Sequence, residues 1–362
     1  MNTFLYTILP TRVRRNYLGG AMIEAREGVP VPQDSNRPED WIASTVRAVN
    51  PGQYPVADEG LTRVQTPDGR ITFLQNLIAA DPAGMLGERH VRRFGRDLGF
   101  LAKFLDSAIR LHVQAHPTAA FARQHLGSPY GKLETYVILA VRPGVEPYLR
   151  LGFQRAPSRE EWRRIVETQD IAAMDACFDR VPLRVGDVWL VPGGMPHAIG
   201  EGVLMLEVME PTDLVVRCEF EREGIVVPPA ARFMGRGLEF CLDIFEYASR
   251  SVAQIARECR IAPVVEREEN GCRVDRLVGP AQTGCFEVRR VTLAADTAAD
   301  LPGDGRIRFF LVEHGAVETT GAGPAQSFGK LAVFLAPAAM PSLRLRAAGN
   351  APAAVLQITP PG

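Results

Sequence analysis

A short pattern recurs in the two halves of the chain and limits the folds that it can adopt. Residues 186–194 read GDVWLVPGG and residues 329–339 read GKLAVFLAPAA, so a glycine and a charged residue precede an apolar run that ends at proline. Around the second copy, residues 284–359 contain further short runs rich in β-branched and aromatic residues, separated by turn residues. Such runs are typical of β-strands. The repetition indicates two related β-units, each a small barrel.

Helical patterns interrupt this β-rich chain in two places. Residues 158–180 have apolar side chains near helical spacing, with Ser158 as the N-cap and Glu161 completing a capping box. Residues 230–259 are also interpreted as helical. We therefore predict a mainly β fold with helical insertions, made of two β-barrel or jelly-roll units plus a helical segment. The predicted division is residues 1–225 with an insertion at about 158–180, a helical bridge at 226–275, and a second unit at 276–362.

Composition excludes several classes of protein. The chain has 362 residues, of which 46% are hydrophobic and 23% charged, and its net charge is −1. Such a balance is ordinary for a globular protein and offers no basic footprint for nucleic acid or for an anionic membrane surface. No apolar run is long enough to span a membrane, and the apolar start is too short for a signal peptide. The six cysteines include no CxxC pair, so we expect reduced thiols and a cytoplasmic protein.

Four polar side chains in two segments form a candidate metal site. Gln114 and His116 lie two residues apart on a predicted strand, so their side chains share one face. Glu134 begins the next predicted strand, and His197 lies in the PGGMPHA loop. Two imidazoles, a carboxylate and an amide suit Zn²⁺ with a position left for water or substrate. The alternative is that each histidine is simply a hydrogen-bonded polar residue at a strand end.

The motifs LHVQAHP, GKLE and GDVWLVPGGMPHAIG, in this order and at this spacing, resemble the class I mannose-6-phosphate isomerases. These are zinc enzymes of the cupin superfamily. The resemblance covers roughly residues 17–217 and implies cupin-type barrels, a zinc cofactor, and interconversion of mannose 6-phosphate and fructose 6-phosphate through an enediol. It also implies that the zinc ligands are Gln114, His116, Glu134 and His197. For catalysis it implies roles for Lys132, Arg217 and Asp213.

The pattern departs from that family at three positions. His112 stands where a small hydroxyl residue is usual, Thr118 replaces an acidic residue, and the acidic run CEFEREG follows Arg217. His112 is open to three interpretations, an extra ligand, a general base or a space-filling side chain, of which we expect the last. Extra carboxylates near a phosphate site would be unfavourable.

These departures leave alternative functions open. One is the same isomerisation on a different or unphosphorylated sugar, and another is a sugar-binding, metal-containing cupin without turnover. An Fe(II) dioxygenase is disfavoured by Gln114 and by the GKLE motif. For Arg217 and Asp213 the alternative is a surface ion pair, and Lys103 is a weaker pocket candidate because a lysine on a strand is usually solvated. The C-terminal unit, with serine at the position corresponding to His197, is expected to bind no metal. The expected partner is a small sugar or sugar phosphate, and the oligomeric state is not predicted.

Overall fold

The computed structural model describes residues 4–320 and 325–362. Antiparallel strands dominate it. Strands β1 to β16 are Tyr6–Leu9, Arg12–Val13, Glu39–Ala43, Arg63–Gln65, Ile71–Phe73, Leu101–Asp106, Gln114–Ala115, Glu134–Val141, Tyr148–Leu151, Val181–Pro182, Val188–Val191, His197–Ile199, Val203–Met209, Val216–Arg217, Glu221–Arg222 and Ile225–Val226. Strands β17 to β26 are Val264–Glu269, Cys272–Val278, Glu287–Leu293, Ala298–Pro302, Arg308–His314, Val317–Thr320, Gln326–Phe328, Val333–Ala336, Ser342–Ala347 and Ala353–Thr359.

Short helices connect and cover the sheets. Helices α1 to α9 are Ala21–Arg26, Leu74–Ala80, Pro82–Leu86, Glu88–Phe94, Ala119–Phe121, Arg159–Thr168, Ile171–Ala176, Leu238–Cys241 and Val252–Cys259. Helix α5 continues as a π-helical turn, Ala122–Leu126, and 3₁₀ turns occur at Pro229–Ala231 and Leu242–Ile244. Among the residues described, no helix is long and apolar enough to cross a membrane.

Four sheets stack in two facing pairs. In the N-terminal half, the sheet β11-β8-β13-β6-β3-β2 faces the sheet β10-β9-β12-β7-β14. In the C-terminal half, the nine-stranded sheet β17-β18-β19-β26-β21-β24-β1-β4-β5 faces the sheet β20-β25-β22-β23. The prediction of a mainly β fold with two jelly-roll units and helical insertions is confirmed.

Alternating apolar side chains fill the spaces between these layers. On β6, Leu105 packs between the two N-terminal sheets, whereas Phe104 points the other way, into the core shared with the nine-stranded sheet. On β21, Phe309 contributes to that shared core and Phe310 to the interior of the C-terminal unit. Because neighbouring residues on a strand point to opposite faces, each large sheet is apolar on both sides.

Helices α6 and α7 cover the outer face of the five-stranded sheet. Trp162 of α6 is fully buried in a cluster that includes Ala198 of β12 and Val216 of β14. The side chain of Ser158 accepts a hydrogen bond from the amide of Glu161 at 3.1 Å, as expected of the N-cap. The predicted insertion is therefore two helices, α6 and α7, and not one continuous helix.

Two sequence-based boundaries differ from the structure. Strands β1, β4 and β5 extend the nine-stranded sheet of the C-terminal half, so strand pairing crosses the division proposed at residue 225. The bridge at 226–275 is helical only in short pieces up to Cys259, and it then forms the hairpin β17–β18. Asn270 and Gly271, at the tip of this hairpin, have φ angles of 48° and 76°. An Asn-Gly pair with positive φ at both residues is typical of a tight hairpin turn, so the helical interpretation of this part was wrong.

Candidate metal centre

One row of cross-strand neighbours carries three of the predicted site residues. Strand β7 lies between β12 and β14, and Gln114 is directly opposite His197 on one side and Arg217 on the other. Directly opposed residues in a sheet project to the same face, so these side chains lie next to one another. His116 follows β7 two residues after Gln114 and reaches the same region. The alternation predicted for Gln114 and His116 agrees with this placement.

The facing sheet supplies Glu134, the first residue of β8. Its Oε1 lies 3.0 Å from His116 Nε2, and its Oε2 lies 3.5 Å from His197 Nε2. The Gln114 amide nitrogen is 3.3 Å from His197 Nε2, and a 180° rotation of the amide would place its oxygen there instead. The side chains of His116, Glu134 and His197 are almost completely buried. One potential ligand atom from each of them lies within 4.8 Å of the other two.

Backbone carbonyl groups orient both histidines. His116 Nδ1 is 2.8 Å from the carbonyl oxygen of Leu214, and His197 Nδ1 is 3.0 Å from that of Met195. A carbonyl can only accept, so each Nδ1 carries the proton and each neutral Nε2 presents a lone pair. These lone pairs face the Glu134 carboxylate, which is also an acceptor. Acceptors that converge in this way in a buried space favour a cation between them.

The acid–base properties agree with a neutral imidazole pair beside a carboxylate. Burial lowers the pKa of His116 to about 4 and also lowers the pKa of His197. Burial alone would raise the pKa of Glu134, but His116 and Lys132 outweigh it and lower that pKa well below its usual value. At neutral pH both imidazoles are therefore free to act as ligands. Together with an amide oxygen they form a donor set that suits zinc.

Two adjacent glycines allow the His197 loop to approach β7 closely. A Cβ atom on Gly193 would lie 2.8 Å from the carbonyl oxygen of Pro117, and Gly194 has a φ angle of 88°. The amide of Gly194 donates to the carbonyl of His116 at 2.7 Å. A side chain at position 193 would push the loop away from His116.

Lys132 and Arg217 line the pocket above the metal cluster. The Lys132 ammonium is buried, 3.0 Å from Glu134 Oε1. Arg217 Nη1 donates to the carbonyl oxygen of Ala231 at 2.8 Å, and burial lowers the pKa of Arg217 to about 10, so it remains cationic at neutral pH. Within the described residues no carboxylate oxygen lies within 4.0 Å of the Arg217 guanidinium.

Asp213 also lines the pocket but does not pair with Arg217. Its carboxylate is bound by Arg15 through two contacts of 3.0 and 3.2 Å, and only 5% of its side chain is exposed. The alternative of a surface ion pair between Asp213 and Arg217 is thus wrong, because Asp213 is buried and its ion-pair partner is Arg15.

Three charged residues of the six-stranded sheet complete the pocket, and two of them were missed. Lys103, expected to be solvated, is 3% exposed and lies 2.9 Å from Glu39 and 3.3 Å from Glu207. Glu39 also accepts hydrogen bonds from Arg15, Tyr17 and Trp41. Burial, with the charge of Glu134, raises the pKa of Glu207 to about 8, and Oε1 of Glu207 is buried without a hydrogen-bond partner among the described residues. Glu207 is the lone charged residue of the apolar strand VLMLEVM, which was an available signal, whereas Lys103 shares LAKFLD with Asp106.

Of the residues that depart from the family pattern, His112 lines the pocket, whereas Glu219 of the acidic run lies outside the pocket lining. His112 lines the pocket, is 4% exposed, and has its Nε2 3.3 Å from the carbonyl oxygen of Ile225; burial lowers its pKa to about 4. Its nitrogen is not part of the cluster formed by the predicted ligands.

In the acidic run, Glu219 is buried and paired with Arg110 at 2.9 and 3.0 Å, outside the pocket lining. The expected conflict between this run and a phosphate group therefore does not arise from Glu219.

Curated relatives agree with the resemblance inferred from the motifs. The chain is 31% identical over 162 residues to a mannose-6-phosphate isomerase of Streptococcus mutans, and the aligned region covers 43% of this chain and 49% of the relative. It is 33% identical over 136 residues to a mannose-6-phosphate isomerase of Bacillus subtilis, covering 36% and 41%. The matches thus span half or less of these relatives' lengths. No protein-family model matches the chain.

Solved structures share the whole fold. A mannose 6-phosphate isomerase from Bacillus subtilis superposes with a TM-score of 0.73 at 18% identity, over 98% of this chain and 99% of that one. A variant of phosphomannose isomerase from Salmonella typhimurium gives 0.71 at 15% identity, over 99% and 100%. A zinc-bound mannose 6-phosphate isomerase gives 0.70 at 15% identity, over 99% and 100%. The predicted resemblance is confirmed, and the chain has the fold of these isomerases.

Proposed function

We propose that this chain is a zinc-dependent aldose–ketose isomerase that interconverts mannose 6-phosphate and fructose 6-phosphate. The observation that carries the proposal is the convergence of two neutral imidazoles on the Glu134 carboxylate, next to a pocket whose lining includes Lys132 and Arg217. The curated relatives named mannose-6-phosphate isomerase and the zinc-bound neighbour support the same activity and the same metal.

The proposed zinc ligands are Gln114, His116, Glu134 and His197. The donor set fits the ion because His116 Nε2 lies 3.0 Å from Glu134 Oε1, and because both imidazoles are already oriented through Nδ1. Zinc bound there would polarise the carbonyl and hydroxyl oxygens of the substrate.

The proposed catalytic work of the protein falls to side chains above the cluster. Isomerisation moves a proton between C1 and C2 and develops negative charge on the enediol oxygens. The buried Lys132 ammonium is positioned to donate hydrogen bonds to these oxygens, since it already contacts Glu134 at 3.0 Å. Arg217 has no carboxylate partner among the described residues and can stabilise the enediolate or bind an anionic group of the substrate. A cation that contacts the enediol oxygens would favour the transition state, in which their charge develops, over the ground state.

A phosphorylated sugar is the substrate that this pocket favours. The acidic run that argued against phosphate has its buried carboxylate, Glu219, neutralised by Arg110 and turned away from the pocket. His112 is the feature that favours the alternative, an unphosphorylated or different sugar, because its imidazole occupies pocket volume beside Arg217. The cysteines of the chain are all free, and five of them are buried. This supports a reducing, cytoplasmic location within the proposal.

The test is an interconversion assay on the purified chain with metal content measured in the same samples. Mannose 6-phosphate should be converted to fructose 6-phosphate, a chelator should abolish turnover, and added zinc should restore it. Free mannose, supplied at equal concentration, should react far more slowly. Faster reaction of free mannose would favour the alternative substrate, and zinc-loaded protein without turnover on either sugar would overturn the isomerase proposal.

A further inference from the structure

Arg15 connects three parts of the chain at the wall of the metal pocket. Its side chain is 3% exposed, and its Nε donates to Glu39 at 2.8 Å. Its two terminal nitrogens donate to the two Asp213 oxygens at 3.0 and 3.2 Å, and Nη1 also contacts Asn50 Oδ1 at 3.2 Å. The guanidinium further lies over the Trp41 ring, 5.1 Å from its centroid. A planar fork of donors is required to make all of these contacts at once.

The contacts of Asp213 leave it little capacity for proton transfer. One oxygen accepts from Arg15 Nη2, and the other accepts both from Arg15 Nη1 and from the backbone amide of Val49 at 2.9 Å. Asp213 also directly precedes Leu214, whose carbonyl group orients the imidazole of His116. The position of Asp213 therefore fixes the backbone that holds one of the proposed zinc ligands.

The same carboxylate fixes the pocket mouth. Val49 and Pro51 line an outer cleft that shares Asp213 and Arg217 with the metal pocket. Val49 is half exposed, so no hydrophobic core holds it in place. The hydrogen bond from the Val49 backbone amide to Asp213 and the contact between Asn50 and Arg15 attach the loop of residues 49–51 to the pocket wall.

We propose that Arg15 and Asp213 are positioning residues that form a clamp. On one side the clamp holds the backbone whose carbonyl group orients His116, and on the other side it holds the loop at the pocket mouth. In this chain Asp213 is thus an anchor, in contrast to the catalytic role that the family resemblance implies. The inference rests on the proposed metal site, but it does not depend on the identity of the sugar.

Arg14 provides a matched control for Arg15. Its Nε pairs with Glu59 at 3.0 Å, and its Nη2 donates to the carbonyl oxygen of Tyr54 at 2.7 Å, in the same connecting segment. It does not contact Asp213. Arg14→Gln therefore removes an arginine–carboxylate pair and a loop contact of the same type, without releasing the backbone that supports His116.

The experiment compares Arg15→Gln, Arg14→Gln and the natural chain in two assays. Zinc affinity is measured by competition with a chromogenic chelator, and exchange of the Val49 amide hydrogen is followed by NMR or mass spectrometry. Loss of an outer support of a metal ligand typically weakens binding by about 10- to 100-fold, and we expect that loss for Arg15→Gln. The Val49 amide should exchange faster in the same variant. Arg14→Gln should bind zinc within about threefold of the natural chain, since the support of His116 is intact.

A rescue experiment separates positioning from general destabilisation. Millimolar guanidinium, below denaturing concentrations, should restore part of the zinc affinity of Arg15→Ala, because the ion can occupy the vacated site between Glu39 and Asp213. Unchanged zinc affinity together with unchanged Val49 exchange in Arg15→Gln would overturn the proposal. If Arg15→Gln does not fold, Asp213→Asn, which keeps the side-chain size, is judged by the same two assays. If the natural chain binds no zinc, the proposed function fails, and the clamp is decided by Val49 exchange alone.

Discussion

Replacement of His197 by alanine should remove the stabilisation that the protein gains from zinc. An ion that binds only the folded state at a free concentration about 100 times its Kd stabilises that state by about 2.7 kcal/mol. His197 contributes one of three buried ligand atoms that lie within 4.8 Å of one another. Its loss should weaken binding by at least about 100-fold, the upper effect of losing an outer support. The same zinc concentration would then lie near the Kd of the variant, where zinc stabilises the folded state by only about 0.4 kcal/mol.

Thermal unfolding with and without zinc measures this difference. Each variant is compared with itself, so the cavity that His197→Ala creates affects both samples equally. The zinc-dependent rise in Tm should be roughly 4 °C for the natural chain and close to zero for the variant. His112→Ala is the control, because His112 is a buried pocket histidine outside the cluster. A full zinc-dependent rise in His197→Ala would refute the assigned site, and loss of the rise in His112→Ala would make His112 a ligand.

Three further substitutions test separate parts of the structure. Lys132→Met should leave zinc bound but lower turnover by about 100-fold or more, because a hydrogen-bond donor to the developing oxyanion is lost; steady-state kinetics on metal-analysed protein check this. Arg217→Ala should likewise retain zinc and lower turnover by on the order of a hundredfold, and unchanged kinetics would make Arg217 structural. Arg110→Met leaves Glu219 buried without its main partner and should lower the free energy of unfolding by about 3 kcal/mol, measured in urea. Zinc affinity should not change in that variant, since neither residue lines the metal pocket.

Local patterns predicted the features that depend on neighbouring residues. The i, i+2 rule placed Gln114 and His116 on one side of the sheet, and the hydroxyl residue Ser158 caps helix α6 as expected. The same rules failed where the chain is irregular. Only Gln114–Ala115 of the strand predicted around Gln114 and His116 pairs as a strand, although the amide of Leu111 still donates to the carbonyl of Ile199 in β12. A backbone path of that kind depends on contacts with distant segments.

Among the charged residues inside the barrel, only Glu207 had a signal in the local sequence pattern. Lys103, Glu39 and Glu207 lie on neighbouring strands of one sheet, and they are buried together because Lys103 contacts both carboxyl groups and Arg15 also binds Glu39. From sequence alone a lysine on a strand is expected at the surface. Strand order decides otherwise, since β3, β6 and β13 are adjacent although β13 lies about 100 residues after β6 along the chain.

The contrast between Arg217 and Asp213 shows what a family resemblance can transfer. The type and spacing of both residues match the family motif, and both do line the pocket. What each side chain can do depends on its partners, and the partner of Asp213 is Arg15, 198 residues away in the sequence. A carboxylate held by a guanidinium and a backbone amide is stabilised in its charged form, and Arg15 accordingly lowers its pKa against the opposing effect of burial. Because protonation of Asp213 would break this clamp, proton transfer is better suited to a group that faces the substrate without such a partner.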